Sequence, residues 1–221
     1  MTDPNPEPDS LAPANAGDYE SMSAYDGRQW ITPDDHHIDI VIDHDSWPTD
    51  AGDHVKLRFG QMLDLALAAH DMTGCDVSLL LCSDAKIRQL NHDHRGKDKA
   101  TNVLSFPSEN DDQIPFGMAT HADDQNREQI GDIAIAYETC VREADDGGIS
   151  LHDHITHLFG HGVLHLLGYD HEQDADADEM ESLEISLLAA IGIANPYDDA
   201  SSEDLKNNDG DEIMSAAEPA S

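Results

Sequence analysis

Cationic side chains are scarce in this sequence. Its 221 residues hold 11 Lys and Arg against 47 Asp and Glu, a formal net charge of −36 with His neutral. That balance excludes a protein that coats nucleic acid by bulk charge, since neutralising phosphates takes many cations. Contact with a polyanion has to be made at a local site, against the chain's own field. Long apolar runs are also missing: none approaches the ~20 residues of a membrane helix. The opening MTDPNPEPDS has neither the basic nor the apolar region of a secretory signal. The expectation is a cytoplasmic protein with no membrane partner. Cysteine is limited to three residues without CxxC spacing, which fits neither a disulfide framework nor a cysteine-rich zinc site. Cys75, Cys82 and Cys140 read as small buried hydrophobes in a reducing compartment. Hydrophobic residues are 38% of the chain, enough for a packed core if the polar surplus lies in tails.

The tails are visible in composition. Residues 1–35 and 198–221 are rich in Pro, Asp, Ala, Ser and Gly and show no sustained apolar period, which reads as acidic disordered extensions. Residues 36–197 between them read as one domain, itself acidic. HIDIVIDHD (37–45) alternates as a half-buried strand, and Val55, Phe59, Met62, Leu65 and Ala69 recur at helical spacing over 54–71. DVSLLLC (76–82), NVLSFP (102–107) and GDIAIAY (131–137) have strand length. Ser83 and Asp84 are placed to cap a short helix carrying Ile87 and Leu90. Residues 108–129 read as a long polar loop. Helices are expected over 149–168, with Ile155, Leu158, Phe159 and Leu166 inward, and over 174–191, with Met180, Leu183, Leu187 and Ile191 inward. The expected fold is α/β (α+β): one compact domain with a four-stranded mixed sheet and helices around it.

Histidine is the residue in excess, 14 in all. In HGVLHLLGYDH (161–171), His161 and His165 lie four apart, so their imidazoles share one helix face. Gly168 ends the helix and lets the chain bring His171 back over that face. Three neutral nitrogens with open positions describe a catalytic metal site, and nitrogen-only ligation suits Zn²⁺. His157 extends the ladder, but eight residues of helix rise ~12 Å, so His157 and His165 cannot share an ion. His157 reads as a partly exposed bystander or, alternatively, a support behind the ligands; His152 and His154 read as surface residues. The HxxxHxxGxxH spacing matches zinc peptidases, yet their general-base Glu is replaced by Gly162, which disfavours peptide hydrolysis by that route. A metal-bound hydroxide remains available.

The second feature is RGKDKATNVLSFP (95–107). Arg95, Lys97 and Lys99 place three of the chain's few cations within five residues. Arg95 can grip a phosphate with two parallel hydrogen bonds and stabilise charge in a phosphoryl transition state. The bland alternative is a solvated loop whose cations relieve Asp93 and Asp98.

HGVLHLLGYDH, RGKDKATNVLSFP and GDIAIA, in that spatially separated set, closely resemble the YbeY family of bacterial rRNA-maturation endoribonucleases, over roughly residues 38–196. The resemblance implies a single α/β domain in which His161, His165 and His171 bind one Zn²⁺ and Arg95 is the functionally required arginine. It also implies cleavage of single-stranded RNA, in small-subunit rRNA 3′-end maturation and ribosome quality control. Lys97 and Lys99 would steer the strand. The expected partners are single-stranded RNA and the small ribosomal subunit or its proteins, without DNA. Two other readings stay open: a ribosome-assembly factor whose zinc is structural, and a zincin-like hydrolase of other substrates.

Overall fold

The computed structural model describes residues 24–25, 29–47, 52–108, 127–170 and 174–198. The outer parts of both expected tails, the middle of the expected long loop (109–126) and His171 lie outside the described residues. Strands β1 (Ala24–Tyr25), β2 (Gln29–Ile31) and β3 (His37–Ile42) pair antiparallel in turn. Helix α1 (Gly52–Ala68) leads to β4 (Cys75–Cys82), parallel to β3. Helix α2 (Asp84–Arg95), β5 (Val103–Pro107) and β6 (Glu128–Ala136) follow, with β6 parallel to β4 and antiparallel to β5. Helices α3 (Tyr137–Gly147), α4 (Leu151–Leu166) and α5 (Asp174–Ala190) complete the chain.

The mixed sheet has six strands among the described residues, in the order β1-β2-β3-β4-β6-β5. Four of them, β3 to β6, are the expected ones. The two added at the edge fall inside the stretch read as tail, because two or three residues are too short to show an alternating pattern. Their attachment is specific all the same: the Gln29 amide donates to Asp39 Oδ1 at 2.8 Å, and Trp30 packs on the main core. Helix α3, not delimited in the sequence, buries Thr139, Cys140 and Ala144.

Both faces of the sheet are covered, which is why β4 is almost continuously apolar instead of alternating. On one face Val77, Leu79, Leu81, Ile133 and Ile135 meet the apolar sides of α1, α4 and α5 in the main core. On the other, Leu80, Cys82, Leu104, Ala134 and Ala136 meet Ile87 and Leu90 of α2. All three cysteines are free and buried, as expected. Ser83 caps α2 by accepting from the Lys86 amide at 3.3 Å, again as expected. No helix among the described residues is long and apolar enough to cross a membrane.

The position of α4 governs the rest. The Phe159 ring stacks on Phe59 of α1 at 4.5 Å between centroids. Beside it, a Cβ on Gly160 would stand 2.8 Å from Met62 Sδ; toward the sheet, one on Gly162 would stand 3.0 Å from Ile133 Cδ1 and 3.1 Å from Ser105 Oγ. Glycines thus let α4 lie tightly against α1 on one side and β5 and β6 on another. The stripe of His157, His161 and His165 occupies a third.

Candidate active site

Helix α4 starts at Ser150, whose hydroxyl accepts from the Asp153 amide at 3.0 Å. It ends at Leu166–Leu167, and Gly168 takes a φ of 93°, a left-handed value that a side chain rarely adopts. The turn brings Tyr169 back over the last helical turn, and its carbonyl lies 2.9 Å from His165 Nδ1. A carbonyl only accepts, so Nδ1 of His165 carries the proton and its Nε2 presents a lone pair. That Nε2 stands 3.1 Å from His161 Nε2. The Tyr169 hydroxyl is in turn held, 3.1 Å from His70 Nε2, while His70 Nδ1 donates to the Ala66 carbonyl at 2.9 Å. The end of α4 is therefore tied back to the end of α1.

Behind His161 lies a residue that the sequence reading missed. Glu184 of α5 has a side chain only 2% exposed, with Oε1 at 3.4 Å from His161 Nδ1 and 3.2 Å from His157 Nε2. Its other oxygen accepts a short hydrogen bond from the Tyr197 hydroxyl. Burial alone would raise the Glu184 carboxyl, but the two imidazoles and Tyr197 outweigh it and hold the group down at about 2. His157 is thus engaged with Glu184 instead of standing by, and its ring packs edge-on against Tyr197. His154, read as a surface residue, is mostly buried with Nε2 2.9 Å from Glu143 Oε2. A signal for Glu184 did exist: it falls on the inward face of α5 among Met180, Leu187, Leu188 and Ile191, an acid where the helical pattern asks for an apolar residue.

Across from the histidines, a cleft of about 650 Å³ is bounded by His161, His165, Tyr169 and Asp170 on one wall and by Arg95, Lys97, Asn102 and Ser105 on the other. Arg95 is the last residue of α2, and Gly96 follows in the left-handed conformation at φ 67°. The chain beyond is pinned where Asn91 Nδ2 donates to the Lys99 carbonyl at 2.7 Å. Arg95 Nη2 donates to the Ser105 carbonyl at 3.1 Å, which lays the guanidinium along β5. The acids that could have absorbed these cations pair elsewhere: Asp98 forms a bidentate pair with Arg88 at 2.6 and 2.8 Å, and Asp93 contacts His92 at 3.0 Å. Lys99 does not line the cleft. The structure thus brings together His161, His165, Arg95 and Lys97.

The matching family model is that of endoribonuclease YbeY, over residues 42–192. The chain belongs to the YbeY endoribonuclease family. A YbeY endoribonuclease of Jannaschia sp. is 48% identical over 164 residues, 72% of this chain and 99% of the relative. That of Dinoroseobacter shibae is 44% identical over 176 residues, covering 76% and 96%. The Rhodospirillum rubrum protein is 41% identical over 187 residues, covering 80% and 90%. These YbeY relatives are matched over nearly their whole length, and the matched span contains the cleft and both of its walls.

The histidine pair fits a bound cation on its own geometry. Two nitrogens each ~2.0–2.1 Å from one tetrahedral ion stand ~3.3–3.4 Å apart, close to the 3.1 Å between the two Nε2 atoms. Each ring has its other nitrogen turned toward an acceptor, the arrangement that orients imidazole ligands. Among the described residues no third side chain completes a ligand group.

Proposed function

We propose that this YbeY family member cleaves single-stranded RNA at this cleft, with one Zn²⁺ held by His161, His165 and His171 and the scissile phosphate gripped by Arg95. The observation that carries the reading is the pair of Nε2 atoms 3.1 Å apart, facing a wall that carries Arg95 and Lys97. When bound, the metal supplies a Lewis acid and an acidified water for phosphodiester hydrolysis. The protein's own contribution is positional. Tyr169 and Glu184 orient the two rings; Arg95, fixed along β5, presents donors to phosphate oxygens and stabilises charge building on them. Lys97 attracts the backbone of the strand at the cleft mouth, with Lys99 assisting from outside it. The natural substrate in this reading is the 3′ end of small-subunit rRNA, on or near the small ribosomal subunit in the cytoplasm.

A peptidase reading finds no support here. The position of the missing general base faces the sheet instead of the cleft, and even a Cβ there would crowd Ile133 and Ser105. A Glu at 162 would not reach substrate without displacing α4.

The test is cleavage of single-stranded RNA by metal-quantified wild type, Arg95→Ala and His165→Ala, each confirmed folded. Loss of cleavage in both, with zinc retained in Arg95→Ala alone, is the expected result. Equal cleavage in all three overturns the assignment. Zinc-dependent ribosome binding without cleavage would favour the assembly-factor reading.

A further inference from the structure

We propose that Glu184 is a positioning residue for the metal site, backing the His161 ring from its Nδ1 side so that its Nε2 is presented toward His165. The proposal rests on reading His161 and His165 as metal ligands. It starts from a cost. A carboxylate 98% removed from solvent on the apolar side of α5 is unfavourable unless its oxygens are met by donors. Tyr197 satisfies Oε2. Oε1 faces only two imidazoles among the described residues, at 3.2 Å from His157 and 3.4 Å from His161, and is in line for a good hydrogen bond with neither. That oxygen has remaining accepting capacity aimed at the nitrogen of His161 opposite its Nε2.

The two proposed ligands are thus backed by unlike acceptors. His165 donates to the neutral carbonyl of Tyr169. His161 has a full negative charge behind it. A carboxylate in that place accepts from Nδ1–H once Nε2 is given to a cation, and makes the imidazole a stronger donor to it. Glu184 would act on the site from α5 and the cleft from beneath, without touching RNA. His157, which shares the same oxygen, and Tyr197, which holds the other, keep the carboxylate from rotating away.

The experiment has two readouts besides catalysis. In full-length, Zn²⁺-loaded wild type, ¹⁵N–¹H NMR reports whether the His161 Nδ1 proton is hydrogen-bonded; a downfield, slowly exchanging signal is expected. Zn²⁺ affinity is then measured by chelator competition for wild type, Glu184→Gln, His161→Ala and the double variant. Glu184→Gln should move that signal upfield, speed its exchange and weaken Zn²⁺ binding by ~10–100-fold. In the His161→Ala background the same change should have no further effect, since the two residues act as one unit. If His161→Ala weakens Zn²⁺ binding but Glu184→Gln leaves the Nδ1 proton signal and the affinity unchanged, the proposal fails and the metal site stands. If His161→Ala leaves Zn²⁺ affinity unchanged, the metal reading itself fails and the proposal with it. Should Glu184→Gln not fold, an upfield, fast-exchanging His161 Nδ1 proton in Zn²⁺-loaded wild type still overturns the proposal.

Discussion

Adding one methyl group to α4 at either of two glycines should give opposite results. At Gly162 the new Cβ would meet Ile133 Cδ1 at 3.0 Å, Ser105 Oγ at 3.1 Å and Ile133 Cγ2 at 3.2 Å. Both neighbours are buried on strands, and a β-branched Ile has few rotamers to retreat into. Overfilling such a site costs ~1–3 kcal/mol, against the ~1 kcal/mol that Ala gains over Gly inside a helix. We expect Gly162→Ala to be destabilising by up to about 2 kcal/mol. At Gly160 all three close atoms belong to Met62, an unbranched thioether that can move aside. There the propensity gain should win, and Gly160→Ala should match or exceed wild type. With ~2–4 °C of Tm per kcal/mol for a domain of this size, calorimetry should separate the two variants clearly. Cleavage adds a second reading. Relief of the Gly162→Ala clash moves α4 away from β5, so the histidines separate from Arg95 while staying together on one helix. Zinc binding should survive and cleavage fall. Gly162→Ala at or above wild-type stability, or Gly160→Ala the more damaging of the two, would refute this account of how α4 is seated.

Buried Asp132 is pushed up to about 6 by burial, against a hydrogen bond from Ser78, and its Oδ1 has no hydrogen-bond partner in the fold. A raised carboxyl is a penalty absent below pH ~4 and complete above pH ~6, an upper bound of ~3 kcal/mol. Asp132→Asn should therefore raise stability in urea melts at pH 7.5 and give no gain at pH 4; an equal effect at both would refute it. Arg127, with a side chain 7% exposed, holds Asp76 at 2.5 Å, Asp35 at 3.0 Å and two backbone carbonyls. Arg127→Ala takes the guanidinium partner from an Asp76 side chain only 15% exposed, and should cost about 3 kcal/mol by chemical denaturation; a loss under 0.5 kcal/mol would contradict that. If Zn²⁺ binds the folded site, stripping it with EDTA should lower Tm, by the equivalent of ~2.7 kcal/mol when free zinc had stood at a hundred times Kd. The drop should reverse on adding Zn²⁺ and be missing in His165→Ala.

What the sequence made legible was whatever repeats at a fixed spacing. The 161/165 pair, the inward faces of α4 and α5 and the four longer strands all follow from periods of 3.6 or 2. The approach of His165 to His161 rests likewise on a local fact, the spacing of four on one helix. Contacts between distant segments were hidden. Nothing in QWI announces a strand, since its support comes from Asp39 ten residues away. Glu184 is one acid among many in a chain of charge −36, and only the docking of α5 on α4 sets it behind His161. His154 and His157 look like a solvated stripe until Glu143 and Glu184 arrive from other helices.

That hidden layer also explains how a strongly acidic chain can present a site for a polyanion. Several acidic residues near the cleft are committed elsewhere: Asp98 to Arg88, Asp93 to His92, Glu143 to Asn102 and His154, and Glu184 to the imidazoles and Tyr197, while Asp170 stays on the cleft wall. Arg95 is held along β5 by a neutral carbonyl instead of a carboxylate, so its charge is not cancelled where it lies. Net charge sets the long-range field, which salt screens beyond ~8–10 Å. Inside that distance the local arrangement decides. Pairing these acids while seating two cations on the wall opposite Asp170 lets repulsion at long range coexist with the proposed phosphate site at short range.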